Sequence, residues 1–297
     1  MASDSGSRRL RYFARSFFAN LRWHRRDMIL IMVVKTANPH TGFLTPKFLR
    51  AVAWALVATI AVFAITTILL AENPKTAAEY NSDPAAMIEA YRHVEAASVS
   101  DAIEQLLHQK SYMSHRMQAI FPTKFAGSAL TVKLVKQENN DPEALTGMLQ
   151  AIDTGAPGSV YVMQVENGAD IAGIGGLMGT AMFARGFAGA VIDGGVRDLP
   201  QLKRIGFPVY STGSVPSTSV HHYRFGGSNV PIECDGVKVM ANDIIVADQD
   251  GVVVVPREHA AEVLIRAQQL DLSEHSMYPV IEKLHSIVEA VKQFNRI

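Results

Sequence analysis

Two hydrophobic periods alternate along the chain from residue 84 to its end. Apolar residues at helical spacing predict helices over 84–93, from Ser98 or Ser100 through Leu107, and from Asp141 through Ile152. Further helices are predicted over 176–186, 199–205, 257–270 and 275–294. A serine hydroxyl is placed to cap the second of these, and Asp141-Pro142-Glu143 opens the third. Short apolar runs predict strands at 159–165, 189–193, 208–211, 237–240, 244–247 and 252–255. Strands interleaved with helices indicate an α/β domain. Residues 243–256 read as two strands about an Asp250-Gly251 turn, so part of the sheet is expected to be antiparallel.

A different pattern lies upstream. Residues 51–71 carry no charge over 21 positions. At about 1.5 Å per residue that length matches the ~30 Å hydrocarbon core of a bilayer. Lys47 and Arg50 precede it, and Glu72, Glu79 and Asp83 follow. The expected organisation is therefore a basic cytoplasmic arm (1–50), a single transmembrane helix (51–71), a polar linker (72–84), an α/β domain (85–270) and a C-terminal helix (271–297). The positive-inside rule puts the C-terminal domain on the non-cytoplasmic side. A cleaved export signal and a start assigned too far upstream are the alternatives.

Net charge at pH 7 is zero but unevenly distributed: residues 1–50 hold ten Lys/Arg and two Asp/Glu, and the rest is acidic by the same margin. An acidic body argues against nucleic acid as its partner. The lone Cys234, within Pro231-Ile-Glu-Cys234, excludes an internal disulfide and reads as a buried, inert thiol.

Candidate chemistry centres on Gly173-Ile-Gly-Gly-Leu-Met-Gly179 and on Asp193-Gly-Gly-Val-Arg-Asp198. The first puts bare backbone N–H groups at a helix start, a ready anion site. The second puts an Arg–Asp pair just after a strand. Arginine clamps carboxylates with paired hydrogen bonds, and aspartate suits a hard divalent cation. Loops at the carboxyl ends of neighbouring strands share one crevice in α/β folds, so both segments are expected to face the same ligand. A dinucleotide site fits less well, because Met178 stands where the third glycine of Gly-x-Gly-x-x-Gly belongs. His221-His222 reads as an exposed loop, Asp193 as a turn-fixing residue, and Asp101 as an early-helix carboxylate complementing the helix dipole. Tyr278, Ile281, Leu284, Ile287 and Val288 fall on one face of the last helix.

These segments resemble the RraA-like family. The likeness rests on Gly175-Gly-Leu-Met178, Ala184-Arg-Gly-Phe-Ala-Gly189, Val191-Ile-Asp-Gly-Gly-Val-Arg-Asp198 and Ala247-Asp-Gln-Asp-Gly-Val-Val-Val-Val-Pro256. That family holds class II 4-hydroxy-4-methyl-2-oxoglutarate aldolases, which also decarboxylate oxaloacetate, and the RraA inhibitors of ribonuclease E. The resemblance implies a mixed-sheet ββα swivelling-type sandwich, assembled as a homotrimer or hexamer with sites between subunits. It implies that Arg197 holds the pyruvate unit and its enolate oxygen. Asp198 would bind a divalent cation, Mg²⁺ or Mn²⁺. Backbone amides across Gly175, Gly176, Leu177 and Met178 would receive the substrate carboxylate. Aldolase members usually carry Glu after the first of these glycines, and this chain has Gly176. Acidic residues from a neighbouring subunit are implied as well, without assigned positions. The expected activity is metal-dependent cleavage of 2-oxo acids to pyruvate; the alternative is a non-catalytic regulatory binding protein.

Overall fold

The computed structural model of the protein describes residues 74–294. The expected basic arm and the apolar segment 51–71 lie outside the described residues. Among the described residues, no helix is long and apolar enough to cross a membrane. That finding contradicts the expected single-pass location with the C-terminal domain on the non-cytoplasmic side.

Part of the stretch expected as a linker is helical. α1 (Ala77–Ser82) opens with a capping box between Thr76 and Glu79 and buries Tyr80. α2 (Pro84–Tyr91) follows at once, with Asp83 accepting the Ala86 N–H at 3.0 Å and proline at its first position. α3 (Ala96–Leu107) starts before either serine predicted to cap it. Its cap is tertiary: the Ala96 N–H donates to Asp248 Oδ2 at 2.8 Å. Ser98 instead sits buried inside the helix.

The main sheet is built from β1 (Gln118–Ala119), β2 (Phe125–Lys136), β3 (Val160–Val165), β4 (Ala172–Ile174), β5 (Gly189–Val196), β6 (Val209–Ser214), β7 (Tyr223–Ser228), β10 (Ile244–Asp248) and β11 (Gly251–Val255). A separate hairpin joins β8 (Ile232–Cys234) to β9 (Val237–Val239). Along the main path the order is β1-β6-β5-β3-β2-β10-β11. The β6, β5, β3 and β2 neighbours run parallel, whereas β10 pairs antiparallel with both β2 and β11. The fold is thus mixed α/β, and the expected antiparallel hairpin is present. One short stretch ties the two ends of the path together. Met113 and Ser111 bond to Val252 and Val254 of β11, and β1 then pairs with β6.

Strand alternation sorts side chains into layers. Tyr161 and Met163 of β3 face a core with α4 (Thr146–Thr154), α5 (Gly176–Ala184) and α6 (Leu199–Ile205), through Met148, Ile152, Met182 and Leu202. Val160 and Val162 point the other way, into a core shared with Ile245, Val254 and the β8–β9 hairpin. Ile244, Val246, Val253 and Val255 face a third core with α1–α3 and α7 (Ala260–Leu284). Every strand of the centre is therefore apolar on both sides.

Two differences from the predicted elements stand out. β2, the 12-residue strand between β3 and β10, has no counterpart among the predicted strands. The predicted break between helices at 271–274 is absent. α7 runs unbroken to Leu284 with Pro279 inside it, and the chain turns only at His285 (φ 52°) before α8 (Ile287–Phe294).

Candidate active site at the β4–α5 and β5–α6 turns

Both chemistry-bearing segments leave the carboxyl ends of adjacent parallel strands. β4 pairs with the far half of β5, so the turn from β4 into α5 lies beside the turn from β5 into α6. Gly175 is the N-cap of α5 and Asp198 that of α6. Asp198 lies in the left-handed region (φ 59°), which Asp tolerates better than most side chains. Its carboxylate reaches back across the gap and accepts the Gly176 N–H at 2.8 Å through Oδ2.

That approach requires glycine. A Cβ on Gly175 would stand 2.7 Å from Asp198 Oδ2 and 3.0 Å from Arg197 Cγ. A Cβ on Gly176 would meet Asp198 Cβ and Gln201 Cγ at 3.1 Å each. The glutamate usual at this position in the aldolases therefore has little room here without movement of Asp198 or Gln201.

Arg197 is held by its backbone and by one end of its guanidinium. Its N–H donates to the Ile174 carbonyl at 3.2 Å, and Nη1 donates to the Ser217 carbonyl at 2.9 Å. Ser217 is itself fixed, accepting the Ala172 N–H at 3.0 Å and donating to the Asp170 carbonyl at 2.8 Å. Nε lies 3.9 Å from Asp198 Oδ2, and both side chains are about half exposed (43% and 53%). No described residue takes a hydrogen bond from Nη2, which leaves a donor for a carboxylate.

Arg197, Asp198, Gly175, Leu177 and Met178 line one cleft of about 360 Å³. Gly176 is absent from that lining, and its amide is already committed to Asp198. Of the four amides expected to meet a carboxylate, those of Leu177 and Met178 lie in the first turn of α5, where no preceding helical carbonyl can receive them. The same Arg–Asp pair also borders a more open cleft of about 470 Å³ beside Leu199, Pro200 and Val215.

Several lining residues escaped the sequence reading. Asp141 comes from the approach to α4, Thr146 from the first position of that helix, and Thr218, Ser219 and His221 from the loop after β6. Membership in a loop following a parallel strand was the available signal. His221 and His222, read together as an exposed loop, separate in the structure. His222 pairs with Glu138 at 2.9 Å, while His221 (φ 70°) lines the cleft and turns Nδ1 to the Asn139 carbonyl at 3.2 Å.

Asp193 is a correction. It does not end its strand but lies within β5, where its Oδ2 accepts the Asp235 N–H at 2.9 Å and so anchors the β8–β9 turn. Burial, with the nearby Asp235 carboxylate, raises its pKa. Asp235 moves the opposite way: burial pushes it up, but hydrogen bonds from Ser114 and Arg116 outweigh burial and lower it. Cys234 is buried as expected, and burial with Asp193 and Asp235 drives its thiol well up.

Fit to a divalent cation rests on Asp198. Oδ2 carries the Gly176 hydrogen bond, and no described residue bonds to Oδ1. One carboxylate with water and substrate oxygens completing the shell suits Mg²⁺. Glu95, Asp271 and His275 also bring ligand atoms within 4.8 Å of one another, but on the α3–α7 side of the fold. Their contacts at 3.6 Å are those of an exposed ion-paired histidine.

The Aldolase/RraA family model, RraA-like, matches residues 96–254. The chain belongs to the RraA-like family. A protein of Halalkalibacterium halodurans, provisionally named a 4-hydroxy-4-methyl-2-oxoglutarate aldolase, is 29% identical over 179 residues, which is 60% of this chain and 80% of the relative. An uncharacterised protein from Pseudomonas syringae pv. tomato superposes with a TM-score of 0.64 at 27% identity, covering 70% of this chain and 93% of the other. Streptomyces coelicolor RraAS2, described as an unusual member of the RNase ES inhibitor RraA family, gives 0.59 at 27% identity, over 69% and 96% of the two chains.

Proposed function

We propose that the protein is a carbon–carbon lyase that cleaves 2-oxo acids of the 4-hydroxy-4-methyl-2-oxoglutarate or oxaloacetate type to pyruvate. One observation carries this reading: a guanidinium with a free donor, a carboxylate with a free oxygen and the open first turn of α5 share one cleft. A relative named as an aldolase supports it.

In this mechanism the Leu177 and Met178 amides and the α5 N-terminus take the substrate carboxylate. The bond between C3 and C4 breaks, its electron pair passes into the enolate, the C4 fragment leaves as a second oxo acid (as CO2 from oxaloacetate), and negative charge develops on the ketone oxygen. Arg197 donates to that oxygen as the charge grows. Asp198 would hold Mg²⁺ or Mn²⁺, which supplies Lewis acidity at the same atom. The enolate then takes a proton at C3 to give pyruvate. Position 176 carries no carboxylate to take the proton of the 4-hydroxyl, which in this reading passes to solvent water and is matched by the proton added at C3. Gly176 contributes instead by fixing Asp198.

The swivelling-type sandwich and a trimeric or hexameric assembly belong to the same proposal. Leu177, 90% exposed beside the cleft, suits cover by a neighbouring copy. The similarity to RraAS2 favours a second reading, a non-catalytic regulatory binding protein. Assay of the purified chain for pyruvate from both substrates, with and without EDTA, separates the two. EDTA-sensitive release supports the lyase; none from either substrate at saturating Mn²⁺ rejects it.

A further inference from the structure

Arg197 reaches the cleft on one tether. Among the described residues its guanidinium makes a single hydrogen bond, from Nη1 to the Ser217 carbonyl at 2.9 Å, while Nε stays 3.9 Å from Asp198 Oδ2. A half-exposed arginine has many rotamers of similar energy, so that carbonyl decides where Nη2 points. The carbonyl is only as fixed as the loop that carries it. Residues 215–217 follow β6 and cross from the end of β5 to β4. At the start of the crossing the Val215 N–H donates to the Val196 carbonyl at 3.0 Å. At its end the Ser217 hydroxyl makes the closure: Oγ accepts the buried Ala172 N–H at 3.0 Å and donates to the Asp170 carbonyl at 2.8 Å. β4 pairs with β5 and with no other described strand, so this hydroxyl stands where a further strand would supply the partner.

We infer that Ser217 is a positioning residue: its hydroxyl, locked onto β4, holds the backbone carbonyl that aims the Arg197 guanidinium at the anion in the cleft. Every bond of this relay lies within one chain. For the reaction, where the anion is the developing enolate, the role rests on the lyase reading; for anion binding it stands alone. Asp198 is oriented separately, by the Gly176 N–H, so loss of the Ser217 hydroxyl should weaken the hold on an anion and spare the hold on a cation.

The test is isothermal titration of the full chain with Mn²⁺ and with oxalate, a planar dianion shaped like the enolate of pyruvate. Ser217→Ala removes both side-chain bonds and should weaken oxalate binding about tenfold, with Mn²⁺ affinity unchanged. Ser217→Thr keeps a hydroxyl that can donate and accept, and should restore oxalate affinity. An S217A chain that binds oxalate as the wild type does overturns the inference. So does a parallel loss of Mn²⁺ and oxalate affinity, which would mark a general disturbance of the site. An S217T chain no better than S217A, or a wild type that fails to bind oxalate at millimolar concentration, overturns it as well. Pyruvate release is scored separately: its absence from the wild type would sink the lyase reading and leave the oxalate comparison intact.

Discussion

The Gly176 N–H donates to Asp198 Oδ2 at 2.8 Å, joining the first turn of α5 to the N-cap of α6 across 22 residues of sequence. The bond orients one carboxylate oxygen and leaves the other open, and a missing side chain at 175 and 176 makes room for it. Gly175→Ala tests this packing. Its methyl would collide with Asp198 Oδ2 and Arg197 Cγ, both on side chains that can swing away. Pyruvate release should fall about 10–100-fold, the cost of misplacing catalytic groups by about 1 Å, with little change in Tm. Unaltered kcat/KM would show that this register is irrelevant to turnover.

Arg197→Ala removes the donor assigned to the developing oxyanion. Turnover should drop about 10²–10³-fold, while far-UV circular dichroism stays the same because the side chain is half exposed. Full activity in this variant would eliminate the proposed role.

Asp198→Asn keeps an oxygen able to accept the Gly176 N–H but loses the formal charge. The Mn²⁺ concentration for half-maximal pyruvate release should rise at least about tenfold. A titration curve superimposable on that of the wild type would place the cation elsewhere.

Asp248 caps α3 from the β10–β11 hairpin, accepting the buried Ala96 N–H at 2.8 Å and the Asp250 N–H at 3.0 Å. Asp248→Ala leaves an amide of α3 buried without its acceptor and should cost about 1–3 kcal/mol. Urea unfolding measures this, and a midpoint shifted by less than the experimental scatter would contradict it.

Asp193 and Asp235 give opposite pH dependences. The folded pKa of Asp193 is raised by burial first, so its contribution is fully present below the unfolded value and is lost as pH rises through the folded one. Asp235 is lowered, so its contribution is present above the unfolded value and lost as pH falls. Asp193→Asn can still accept the Asp235 N–H. It should be more stable than the wild type at pH 7, with the advantage vanishing near pH 3. Thermal melts at the two pH values decide it; a constant difference would show that Asp193 does not titrate differently in the fold.

The glycine turn and the Arg–Asp pair were legible because each follows a short apolar strand, and parallel strands bring such turns side by side. β2 was not. Its Phe125-Ala-Gly-Ser-Ala129 start is made of small residues after the aromatic, and a Cβ on Gly127 would lie 2.2 Å from the Gly158 carbonyl oxygen, whereas Thr131, Val132 and Val135 further along carry an ordinary strand signal. β4 has three residues, too few for alternation to show. The break expected within α7 followed the polar run Asp271-Leu-Ser-Glu-His275, which only marks an outward-facing stretch of helix. Asp141, His221 and the α4 wall were hidden for another reason. Their membership of the cleft depends on how the 137–145 and 215–222 loops fold together, through bonds such as Asn139 N–H to the His221 carbonyl at 2.8 Å, and no local spacing encodes that.

A single stretch, residues 111–119, lies along β11 with its first residues and along β6 with its last. Both strands would otherwise offer unsatisfied ladders on which a second molecule could template itself into a growing fibril. By stitching these margins to each other, the segment occupies backbone donors and acceptors at both ends of a sheet rich in valine and isoleucine, so neither margin stands as a bare ladder.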